Sequence, residues 1–72
     1  MTDNYKQRLK AEAIQTRERL EKLRDFLFQY DEGLIDAHLS SEQRALLLEQ
    51  RDCMFELVGI LEKRCQLEGI SL

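Results

Sequence analysis

Apolar positions in the first half of the chain step by four and three: Leu9, Ala13, Leu20, Leu23, Leu27 and Tyr30, with polar Thr16 in the same line. That rhythm holds one file of side chains against a neighbour, as in two helices packed at a shallow angle. It predicts a helix over about residues 3–31, capped by Thr2 or Asp3 and closed where Gly33 can turn left-handed. Thr16 is expected to bond back to the preceding turn.

The second half is greasier. From Ser40 to Gly69, the residues Leu46, Leu47, Cys53, Met54, Leu57, Val58, Ile60, Leu61, Cys65 and Leu67 occupy about half the circumference of a helix. Phe55 and Leu48 fall on the far side of that arc. Ser40 with Gln43 matches a capping box, Glu42 suits the positive helix end, and Gly69 can close the helix. A second helix over about residues 41–68 follows, joined by a loop at 33–40 in which Leu34, Ile35 and Leu39 are expected to fold back over the hairpin. His38 in this loop reads as a surface residue.

Two long helices and a short loop make an antiparallel hairpin in one all-α domain. A single hairpin partner covers only part of so wide an apolar arc, so the pattern predicts a homo-oligomeric helical bundle, the smallest being a dimer of four helices. The composition agrees: no Pro, three Gly and 35% charged residues. No apolar run approaches the roughly 18 residues of a membrane span, and the polar start MTDNYKQRLK does not read as a signal peptide. A cytoplasmic protein is expected. Cys53 and Cys65, twelve positions apart on one helix, are too distant for a disulfide and read as core thiols. No ligand set for a metal is present, and no cofactor is called for.

Charge divides unevenly. Residues 1–30 carry seven Lys/Arg against five Asp/Glu (+2), and residues 31–72 four against nine (−5), which sum to the net −3. The halves attract each other, and such a balance argues against duplex nucleic-acid binding. No nucleophile with a base, phosphate loop or carboxylate pair points to an enzyme.

The polar residues inside the apolar arc carry more information. Arg64 sits mid-arc, Gln50 about 40° away, and Arg51 at its edge. A guanidinium there needs an anion such as Glu12 or Glu68, or a route to solvent, and Gln50 would then fix register. Alternatively, hairpin geometry brings Tyr5 and Arg8 near Arg64, and a tyrosine face beside two guanidiniums suits a nucleotide. Tyr5, Arg8 and Arg64 are the leading ligand candidates, with Gln50 and Arg51 second. A basic line of Lys10, Arg17 and Arg24 reads first as salt bridging to the acidic second helix.

The series Tyr5, Arg8-Leu9, Glu12, Leu20, Lys22-Leu23, Phe26-Leu27, Leu47-Leu48, Gln50, Met54, Ile60-Leu61, Arg64 and Glu68-Gly69 resembles a family of short helical-hairpin proteins of tailed phages. Leu57 departs from it, standing where an aromatic residue is expected. In size and architecture the chain is similar to phage sponge proteins, which sequester nucleotide second messengers of bacterial antiphage signalling. The resemblance implies a non-enzymatic oligomer binding a cyclic dinucleotide or a cyclic ADP-ribose-type signal. The other reading is a module whose apolar face grips a host or phage protein.

Overall fold

The computed structural model describes residues 4–72, so the expected Thr2 or Asp3 cap lies outside the described residues. Two helices, α1 (Asn4–Asp31) and α2 (Ser41–Leu67), pack antiparallel, and no strand occurs among the described residues. The molecule measures 47 × 18 × 16 Å, one helix layer thick.

The local signals act where they stand in the sequence. Ser40, extended at φ −68° and ψ 160°, accepts a 3.1 Å hydrogen bond from the Gln43 N–H, and Glu42 lies in the first turn of α2. Both helices end in the same motif. Gly33 (φ 71°) donates to the Tyr30 carbonyl and Leu34 to that of Gln29; Gly69 (φ 73°) donates to Gln66 and Ile70 to Cys65. This is the paired 6→1 and 5→2 closure that a left-handed residue allows, and glycine adopts it without a Cβ penalty.

On α1 the buried line is Leu9, Ala13, Thr16, Leu20 and Leu27. It meets Val58, Leu61 and Cys65 of α2. Leu9, Ala13, Leu61 and Cys65 form the tightest cluster, at most 3% exposed, and Ile70 of the tail packs on it. No buried side-chain nitrogen or oxygen among the described residues lacks a partner.

Two expectations need correction. Cys53 is exposed, and only Cys65 is a core thiol. The reason is angular: Cys65 points at α1, whereas Cys53 lies about 120° round the helix from it. In the loop, Ile35 and Leu39 are half-buried, but Leu34 is 66% exposed, because the residue its closing turn brings it back to is the polar Gln29. His38 is exposed. The Tyr30 hydroxyl braces the loop through long contacts to the Leu39 N–H (3.3 Å) and carbonyl (3.4 Å).

Candidate functional site

The five residues singled out from the sequence do not converge within one chain. At the end bearing the termini, Arg64 donates a 3.0 Å hydrogen bond from Nη2 to the Tyr5 hydroxyl, 59 positions away in sequence. That bond raises the Arg64 pKa further, with Glu12 adding a weaker attraction. The guanidinium is exposed and keeps further N–H donors available. Arg8, one turn along α1 from Tyr5, is also exposed. Gln50 stands on the outer face of α2, its amide 3.9 Å from the Met54 sulfur. Arg51 belongs elsewhere. It is thirteen residues, or about 20 Å, from Arg64 and bonds Asp52 at 3.1 and 3.2 Å.

Arg51 instead lines an open groove of about 490 Å³ toward the loop end, and this groove is the site that sequence reasoning missed. Its α1 wall is Arg24, Leu27, Phe28 and Asp31; its α2 wall is Arg44, Leu48, Arg51, Asp52 and Phe55. Hairpin register builds it. The seam that buries Leu27 sets Arg24 and Phe28, four positions apart, together on one flank of it. From α2, Leu48 and Phe55 reach the groove by heptad spacing, which is why both fall off the main apolar arc.

Three guanidiniums and two carboxylates face the groove, a net charge of +1. Arg44 grips Asp31 in two-pronged fashion, Nε to Oδ1 at 3.0 Å and Nη2 to Oδ2 at 2.7 Å. These bonds hold the Asp31 carboxyl below its ordinary value of 3.8 and push Arg44 up. Arg24 lies over the Phe55 ring, 5.4 Å from its centroid. Phe28 and Phe55 remain 62% and 59% exposed, so two aromatic faces stand in water beside cations. More than half of each side chain is open to water, and a planar ligand would cover it.

The basic line on α1 divides along its length. Arg17 forms a salt bridge with Glu62 of α2, as the charge asymmetry predicts, while Arg24 turns to Phe55. The signal for the groove was present as Arg24, Phe28 and Phe55, but it needs the register between the helices to be read.

Among the described residues no cluster of His, Cys, Asp or Glu could hold a metal ion, and no helix is long and apolar enough to cross a membrane. No curated protein and no solved structure matches the chain. Residues 3–67, nearly its whole length, match the family described as Sequestin. Matched over that span, the chain belongs to the Sequestin family.

Proposed function

We propose that this chain is a non-enzymatic sequestering protein, of the phage type, that binds a nucleotide immune signal and keeps it from its receptor in the host cytoplasm. The family name speaks of sequestration. The observation that carries the choice of ligand is the loop-end groove, where Arg24, Arg44 and Arg51 stand beside the exposed rings of Phe28 and Phe55. Arginine bonds phosphate in two-pronged fashion, and a flat ring takes a base or stacks on a guanidinium. A volume near 490 Å³ falls in the usual range for small-molecule sites. Cyclic dinucleotides and cyclic ADP-ribose-type signals have both parts, a base and bridging phosphates.

On this reading a phosphate displaces Asp31 or Asp52 from its arginine partner, and a base lies on Phe55 or Phe28. Tyr5, Arg8 and Arg64, at the other end, are a second set of anion contacts. The protein works as a homo-oligomer, supported by Leu46, Leu57, Ile60 and Leu67 of α2, which are 41–87% exposed in the single hairpin.

Isothermal calorimetry against a panel of cyclic dinucleotides and cyclic ADP-ribose isomers tests the ligand. Binding of one class, with release of the unaltered molecule on denaturation, supports sequestration. Absence of binding across the panel overturns it, and release of a cleaved product would mark an enzyme. The second reading, a module gripping a host or phage protein, is favoured by the same exposed α2 residues and predicts a stoichiometric protein partner.

A further inference from the structure

We infer that α2 carries two parallel seams one residue apart, and that the outer one is filled by α2 of a second copy running antiparallel about a two-fold axis near Leu57. The inner seam is Leu47, Arg51, Met54, Val58, Leu61, Cys65 and Glu68. All seven are buried or half-buried in the hairpin. A shift of one residue toward the N-terminus gives Leu46, Gln50, Cys53, Leu57, Ile60, Arg64 and Leu67, again spaced 4-3-4-3-4-3, and all seven are exposed. A strict heptad file of about 32 Å with four large aliphatic side chains in water is the seam of a helix pair whose other member is absent.

The order of polarity along this file selects the partner and its direction. Gln50 is second from one end, Arg64 second from the other, and every position between and beyond them is apolar or a thiol. Paired with itself in parallel, the file sets Arg64 against Arg64 and Gln50 against Gln50. Paired antiparallel about Leu57, it sets Gln50 of each copy beside Arg64 of the other, so the amide oxygen accepts from a guanidinium twice over. Arg64 is already held by Tyr5, so the pairing gathers Tyr5, Arg64 and the second copy's Gln50 into one polar cluster on either side of the axis. The flanking charges largely agree: exposed Glu49 approaches Lys63 of the second copy, again twice, while Glu56 meets its own copy at the centre.

This rests on the self-association reading of the previous subsection and is independent of the loop-end groove. Gln50→Glu separates the orientations by sign. Under antiparallel pairing each introduced carboxylate meets Arg64 of the other copy, and the dimer tightens by roughly three- to tenfold in sedimentation equilibrium. Under parallel pairing the two introduced carboxylates face each other and the dimer weakens, which overturns the proposal while leaving self-association intact.

Short-arm bismaleimide crosslinking in a Cys53→Ser background gives a second readout, with buried Cys65 retained. Leu57→Cys is expected to crosslink to itself. Gln50→Cys and Arg64→Cys are expected to do so only when mixed, because each lies on the order of 15 Å or more from its own counterpart. Self-crosslinking at 50 or 64 overturns the orientation, and a dimer without crosslinking at 57 overturns the choice of surface. A wild-type chain that stays monomeric at high micromolar concentration removes both this proposal and the self-association beneath it.

Discussion

The two ends of this hairpin are closed by the same turn and used differently. Gly33 and Gly69 make identical left-handed closures, each followed by an aliphatic residue. At the end with the termini, that residue, Ile70, folds onto Leu9, Ala13, Leu61 and Cys65 and completes the tightest cluster. At the loop end its counterpart Leu34 stays in water, and the adjoining surface holds charges, rings and a groove. Equal backbone chemistry thus yields one end where the closing residue packs into the core and one where it stays in water beside an open groove. The difference lies in what α1 offers nearby: Leu9 and Ala13 at one end, Arg24 and Phe28 at the other.

Four measurements break or sharpen that contrast. Leu61→Ala, at a side chain 1% exposed, is expected to cost about 2–5 kcal/mol in chemical denaturation and to leave a chain this small largely unfolded. If it were tolerated with under about 1 kcal/mol lost, the terminal end would not be the stabilising one. Phe55→Ala should do the reverse. Its ring is 59% exposed, so the helix melt should barely move, while affinity for the nucleotide falls by about 1–3 kcal/mol through lost stacking.

The two closing turns can be compared directly. Ile70→Ser is expected to destabilise by about 1 kcal/mol or more, and Leu34→Ser by no more than about 0.5 kcal/mol, because only the first residue is packed. Equal effects would mean the two turns are not used differently. The smallest effect is electrostatic. Asp31 should titrate below 3.8 in carbon-detected NMR and return toward that value in Arg44→Ala. Because its folded pKa is lowered, the pair's contribution is present above pH 3.8 and fades as the pH falls through the depressed value.

Much of the fold is legible from the chain alone, because its signals are local. The Ser40–Gln43 cap, the two glycines and the 4-3 line through Leu9, Ala13, Thr16, Leu20 and Leu27 each act within a few residues of themselves. What is not legible depends on register. The wide arc of α2 holds two seams differing by a single residue, and nothing within α2 says which one meets α1. Hence Cys53 and Cys65 look equivalent in sequence while one is exposed and the other is fully buried. The groove shares this difficulty. Arg24 and Phe55 are 31 positions apart, and neither is unusual until the hairpin sets one over the other. Tyr5 with Arg64 is the exception, since counting back from a short loop suffices to place them together.

A body 16 Å through has no deep interior, and each helix owes its shelter to what lies alongside it. If copies join through the bare side of α2, the folded state becomes subject to mass action, and its melting temperature climbs with protein concentration. Dilute chains would then be fragile and prey to proteases, while abundant ones are sturdy. For a stoichiometric trap, durability would arrive together with capacity.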